Sequence, residues 1–334
     1  MTIKTQREAI NEAIASEMRR DETVIVMGED ISGGVGTDGE DDAWGGVLGV
    51  TKGLYGEFGP NRVIDTPICE GGFTTAAAGA AITGLRPVVD LMFVDFLGFC
   101  FDAIYNQAGK FRYMFGGKAQ TPLVVRAMYG AGLRAAGQHS QTLYSLFTHV
   151  PGVKVVVPSS PYDAKGLLIQ AIRDNDPVIF YEHKTMYDDE ADVPDESYTI
   201  PFGEANVIRE GEHVTIVAIG KMVQLAVEAA DNLAKDGIFC TVVDPRTISP
   251  LDEETILEEV EETGRLVIVD ESYPRCSLAA DISSIVAEKA FKSLKAGIQK
   301  VTPPHCPVPF APELEDLYIP KVEDIEAAVR RTMA

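Results

Sequence analysis

The chain has 334 residues, of which 46% are hydrophobic and 24% charged, the balance of a water-soluble globular protein too long for one ordinary core. Its 51 acidic and 29 basic residues leave a net charge of −22, which argues against holding nucleic acid or an anionic membrane through general electrostatics. The first eight residues are polar, and Arg86, Asp90, Asp95 and Asp102 break the apolar stretch Ala76–Tyr105. Neither a signal peptide nor a membrane span of ~20 apolar residues is expected, and the chain reads as cytoplasmic.

Ile10, Ala13, Ile14 and Met18 fall at helical spacing within residues 4–20, and Thr23–Met27 is a short buried strand. Residues 28–62 are rich in Gly and acid and read as a long functional loop that ends in a short helix near Lys52–Phe58. Val63–Ile68 and Val88–Phe93 are strands around a small-residue helix at Gly71–Thr83. A long apolar helix is expected over Gly98–Met114, a strand at Pro122–Ala127 and a helix at Ser140–Thr148. Val153–Val157 and Val178–Glu182 are strands flanking a helix that opens with Ser160 as N-cap and Pro161 in its first turn. The acidic, aperiodic stretch 188–201 reads as a linker between a first domain at 1–187 and a second at 202–334. In the second, strands at Val214–Gly220, Phe239–Val243, Leu266–Asp270 and Gln299–Thr302 alternate with helices. The expected fold class is α/β, with two doubly wound, mainly parallel sheets. The five cysteines are widely spaced without a CxxC, so reduced thiols are expected.

Glu70 stands where an extended apolar stretch gives way to Gly71 and Gly72. Desolvation there would raise its pKa, while a place at a helix N-terminus would lower it. A carboxyl group able to share a proton, set among small residues, suits work on a bound cofactor. Gly34-Val-Gly-Thr-Asp-Gly39 has the G-x-G-x-x-G spacing, but Asp38, Glu40, Asp41 and Asp42 would repel a pyrophosphate. Gly116-Gly-Lys-Ala119 lacks the spacing and the Ser or Thr of a phosphate loop. His139, after the Gly-rich run 130–137, can be a proton shuttle at a cleft or a capping or surface histidine. The aromatics of Phe93–Phe101 fit core packing, or stacking on a flat heterocycle.

Over nearly its whole length the chain resembles the β subunits of the thiamine-diphosphate-dependent first component of 2-oxo acid dehydrogenase complexes. The matching runs include Gly28-Glu-Asp30, Asp65-Thr-Pro-Ile-Cys-Glu70, Phe93-Val-Asp-Phe96, Gln138-His-Ser-Gln141, Asp163-Ala-Lys-Gly166 and Leu317-Tyr-Ile-Pro320. The loop Asp41–Gly53 is most similar to the acetoin-acting branch. The resemblance implies a thiamine-diphosphate pyrimidine-binding domain followed by a transketolase C-terminal-like domain. It implies an α subunit that holds the diphosphate and Mg²⁺, an α2β2 heterotetramer, and a dihydrolipoyl acyltransferase that receives the product. It also implies that Glu70 hydrogen-bonds the aminopyrimidine nitrogen, that Phe96 lies beside that ring, and that Ile68 offers backbone contact. The cofactor-binding set it implies also includes Glu29 and Met92, the latter at a position where some relatives carry Gln. By the same resemblance His139 assists acyl transfer near the substrate, Glu29 and Asp90 line an acidic path between paired sites, and Ala171, Ile172, Asp174 and Asp176 form a loop for K⁺.

Overall fold

The structure is a computed structural model, and it describes residues 2–32 and 45–334. The Gly34–Gly39 motif and Asp41–Trp44 lie outside the described residues. The chain divides into two compact units, residues 1–129 with 146–201, and residues 130–145 with 202–334.

The first unit begins with β1 (Thr2–Thr5) and α1 (Gln6–Arg20). Thr5 and Glu8 form a capping box that satisfies the free amides at the start of α1. Then come β2 (Val24–Gly28), α2 (Leu54–Phe58), β3 (Val63–Asp65), α3 (Glu70–Ile82), β4 (Arg86–Phe93), α4 (Gly109–Met114), β5 (Val124–Tyr129), α5 (Ser145–Thr148), β6 (Lys154–Val156), α6 (Pro161–Arg173), β7 (Val178–His183) and β8 (Glu190–Val193). The strands of the central sheet lie in the order β6-β7-β5-β4-β2-β3, and each pair is parallel. β2, β5 and β7 are buried throughout, as expected of apolar strands covered on both faces.

The structure corrects two expectations. Residues 188–201 are no bare linker, because β8 pairs antiparallel with β1. The segment also packs on α6: the buried Lys165 donates to the carbonyls of Pro194 and Asp195, and the amide of Ile200 reaches the Gly166 carbonyl at 3.3 Å. A Cβ on Gly166 would come within 2.6 Å of the Tyr198 ring, so only glycine admits that approach. The long helix expected over Gly98–Met114 is instead a 3₁₀ segment (Val94–Cys100), a π-helical segment (Asp102–Ala108) and α4. The re-phasing falls where Gly109 meets Gly152, whose Cβ would lie 2.0 Å from the Gly109 carbonyl.

The second unit holds β9 (Asn206–Arg209), β10 (Val214–Ala218), α7 (Met222–Lys235), β11 (Cys240–Asp244), β12 (Thr247–Ser249), α8 (Glu253–Thr263), β13 (Leu266–Val269), α9 (Leu278–Lys289), β14 (Gln299–Val301), α10 (Pro312–Tyr318) and α11 (Val322–Met333). Its sheet runs β14-β13-β10-β11-β9, parallel except for the antiparallel edge strand β9. Ile216, Val242 and Val267 meet Ala226 and Leu233 of α7 and Val329 of α11 in one core. The helix expected at Ser140–Thr148 shrinks to α5, and the irregular residues before it cluster with this unit. All five cysteines are free, Cys100 and Cys240 buried and the others exposed.

Gly28 sits against β4, and a Cβ there would lie 2.5 Å from the Asp90 carbonyl. Backbone cannot yield as a side-chain tip can. Gly28→Ala is therefore expected to cost about 1–3 kcal/mol, read as a lower denaturant midpoint at unchanged slope. An unchanged midpoint would refute the close-approach argument.

Candidate active site

β3 ends at Asp65, and after four intervening residues α3 begins with Glu70. The turn is tied to β2 by the Thr66 amide, which donates to the Gly28 carbonyl at 2.9 Å. Gly71 and Gly72 let α3 start in a crowded place: a Cβ on Gly71 would meet the Phe99 carbonyl at 2.8 Å, and one on Gly72 the Cys69 sulfur at 2.7 Å. Glu70 is half-buried, and Pro67, Ile68 and Cys69 are exposed. The chain alone leaves the surroundings of Glu70 open to water. Among the described residues no hydrogen bond engages the Glu70 carboxylate. The buried Thr66 hydroxyl has no hydrogen-bond partner among them either. The half-buried Glu70 carboxylate is open to solvent, whereas the Thr66 hydroxyl is enclosed by the chain itself.

Glu29 comes directly after β2, and burial pushes its carboxyl above the ordinary range, reinforced by the like charges of Asp30, Glu70 and Asp90. That coupling brings Glu29, Glu70 and Asp90 into one acidic neighbourhood. Asp90 itself is buried in β4 and pairs with Arg126 of β5 at 2.9 Å. Arg126 also grips Glu182 of β7 through two bonds of 2.6 and 2.7 Å. The Tyr187 hydroxyl donates to Glu182 at 2.6 Å. Burial alone would lower the Arg126 pKa, but Glu182 and Asp90 outweigh it and hold the guanidinium firmly charged. Burial raises the Tyr187 phenol, and Glu182 adds to it, so it stays a donor. Gly45–Leu48, Val50, Met92 and Met128 close over this network and leave a void of only about 10 Å³.

Met92 is 4% exposed and has φ of +64°. Phe96 is half-buried and meets Phe93 edge to face at 6.2 Å. His139 belongs to the Gly130–Ser145 segment of the second unit. That segment is pinned by buried acids: Glu271 accepts from the Ala131 amide at 2.7 Å, and Glu315 accepts from the Gly132 amide at 2.7 Å and the Arg134 side chain at 2.7 Å. His139 is half-buried within it.

The Ala171–Asp176 loop has its oxygens engaged by cationic side chains. Arg86 donates to the carbonyls of Ile172 and Asp174 at 3.1 and 2.8 Å. Lys154 pairs with Asp174 at 2.6 Å, and Arg112 pairs with Asp176. Sequence reasoning missed Arg126, Glu182 and Tyr187. The signal was available: a lone Arg and a lone Glu inside strands that are otherwise buried have to be paired.

Residues 3–189 match the family described as transketolase, pyrimidine binding domain, and residues 203–325 match transketolase, C-terminal domain. The solved structure titled "Split gene transketolase, inactive beta4 tetramer" has the same fold, with a TM-score of 0.78 at 23% identity over 98% of this chain and 97% of that one. The acetoin:2,6-dichlorophenolindophenol oxidoreductase subunit beta of Cupriavidus necator is 65% identical, covering 97% of this chain and 96% of that protein. The protein of the same name from Bacillus subtilis is 58% identical, with 95% and 94% covered. The pyruvate dehydrogenase E1 component subunit beta of Rickettsia felis is 47% identical, with 98% and 97% covered. Fold and site therefore define a chain of the transketolase type. Within that class the chain belongs to the β-subunit family of the thiamine-diphosphate-dependent dehydrogenases. No described helix is long and apolar enough to cross a membrane.

The raised Glu29 pKa makes a pH prediction. Unfolded, Glu29 ionises in the ordinary carboxylate range; folded, it keeps its proton to higher pH. The folded state binds more protons in that window, so stability is lost as pH rises through the raised value. Glu29→Gln is expected to stabilise the protein at about pH 8 by up to ~1 kcal/mol, a small figure because Glu29 is partly open to water. The gain should vanish below the ordinary carboxylate range. Melting curves that shift equally at both pH values would refute it.

Proposed function

We propose that this chain is the β subunit of a thiamine-diphosphate-dependent acetoin dehydrogenase, active with an α subunit. The observation that carries the substrate is the gradient of likeness: 65% and 58% to two acetoin-named subunits against 47% to a pyruvate-named one. Acetoin would be cleaved between its two oxygen-bearing carbons, releasing acetaldehyde. The two-carbon unit would pass to the lipoyl group of a dihydrolipoyl acyltransferase. Thiamine diphosphate supplies, when bound, a carbon nucleophile and an electron sink.

The residues fit such a group on one side only. Glu70 offers a carboxylate with no hydrogen bond among the described residues, at the start of a helix that Gly71 and Gly72 let begin close against Phe99 and Cys69. It would hold a proton at the pyrimidine nitrogen. Phe96 would bear on the ring, and Ile68 would lend its backbone. By the family resemblance the diphosphate and Mg²⁺ would be held by the α subunit, in an α2β2 assembly, and Gly116-Gly-Lys-Ala119 lacks the spacing of a phosphate loop. His139 would move a proton during transfer to the lipoyl group.

The test uses the chain assembled with its α subunit. Glu70→Ala is expected to lower acetoin-dependent dye reduction by about 10²-fold or more, and undiminished turnover would overturn the role. Pyruvate in place of acetoin distinguishes the second reading, a 2-oxo acid dehydrogenase, since only 2-oxo acids release carbon dioxide. A K⁺ ion at Ala171, Ile172, Asp174 and Asp176 would have to share its carbonyls with Arg86. Equal melting temperatures in potassium and tetramethylammonium chloride would exclude it.

A further inference from the structure

The centre of the first unit's sheet carries one irregularity. Asp90 of β4 pairs with Arg126 of β5, and the next pair is Phe93 with Met128. Three steps along β4 answer two along β5, so β4 contains one extra residue, a bulge. Met92 takes up the extra length in the left-handed region, at φ of +64°. An unbranched residue other than Gly, Asn or Asp is held there only where its surroundings insist. Here the surroundings are the Asp90 carboxylate. One oxygen accepts the Met92 amide at 3.1 Å, and the other accepts Arg126 at 2.9 Å. Arg126 cannot turn away, because its remaining donors are fixed on Glu182.

The bulge sets the course of the chain beyond β4. Phe93 ends the strand with the Lys184 ammonium 5.6 Å from its ring centre, and the 3₁₀ segment Val94–Cys100 starts at the next residue. That segment carries Phe96, and the Phe99 carbonyl is the atom against which Gly71 of α3 is set. A change of angle at Met92 would therefore move Phe96 directly, and the start of α3, with Glu70, through Gly71.

We propose that Asp90 is a positioning residue: it latches the Met92 bulge so that Phe96 and Glu70 present a fixed face to the cofactor. This rests on the reading that both residues face the thiamine pyrimidine. It differs from a role in which Asp90 exchanges protons with Glu29 and Glu70. With a donor on each oxygen, the carboxylate serves as an acceptor of two hydrogen bonds.

A double-mutant cycle in the assembled α–β enzyme separates the two roles. Calorimetric titration with thiamine diphosphate and Mg²⁺ gives the affinity, and hydrogen exchange of residues 92–100 reports the latch without any cofactor. Asp90→Ala leaves Arg126 paired with Glu182 and is expected to weaken cofactor binding about tenfold and to speed exchange across 92–100. In a Met92→Gly background the left-handed conformation is free of strain, so the same change should cost less than about twofold. Asp90→Ser restores an acceptor for the amide two residues on, without the charge, and should bind within about threefold of the unaltered enzyme. Equal losses in both backgrounds, no rescue by Ser, or unchanged exchange would overturn the latch. If Asp90→Ala does not assemble, the Ser variant decides: a loss of tenfold or more in that variant overturns the proposal. Unaltered enzyme that binds no thiamine diphosphate defeats the cofactor reading, while the exchange experiment still decides the latch.

Discussion

A single guanidinium in the middle of a parallel sheet constrains the first unit more than any other group. Arg126 is 2% exposed on β5, flanked by β4 and β7. A buried charge survives only when its donors meet acceptors in good geometry, and removing one partner of such a pair costs about 3–5 kcal/mol. Glu182 on one neighbouring strand and Asp90 on the other meet that demand. The network therefore fixes more than charge. It sets how β5 sits between its neighbours, and it keeps the irregular Met92 next to a residue that can hold it. The close passage of Gly28 against Asp90 belongs to the same constraint from β2.

The sequence made the architecture legible because the strands obey their period. Val24–Gly28, Val178–His183 and Val214–Ala218 are short apolar runs between helical patterns, and that alternation points to parallel sheets covered on both sides. The capped start of α6 at Ser160 and Pro161 was equally plain. What escaped was set by contacts distant in sequence. Nothing local in Glu190–Val193 signals a strand, since its partner is Thr2–Thr5. Nothing local in the Gly98–Met114 run announces that Gly109 must pass Gly152. The position of Glu70 at the entry to α3 was readable, but its exposure was not, because exposure depends on what lies across from it.

The acid cluster shows how charge placement divides the labour. Asp90 has its negative charge answered by Arg126, whereas Glu29 has no described cation among the causes of its raised pKa. Glu29 therefore bears the cost of sharing a neighbourhood with Asp30, Glu70 and Asp90. A proton added to that group settles most readily where no cation opposes it. Structural and proton-holding acids sit side by side here, and the single buried Arg126 separates their roles.

The openness of Glu70 carries a further consequence. The neighbours of Glu70 in sequence and in space include large apolar side chains. Ile68, two residues before Glu70, is 76% exposed, and Phe99, whose carbonyl abuts Gly71, is 78% exposed. Large apolar side chains left in water make a surface that gains by being covered. A partner that covered Ile68 and Phe99 would bury apolar surface close in the chain to Glu70. The apolar side chains that favour contact therefore flank the entry to α3, Ile68 before it in sequence and Phe99 against its first turn.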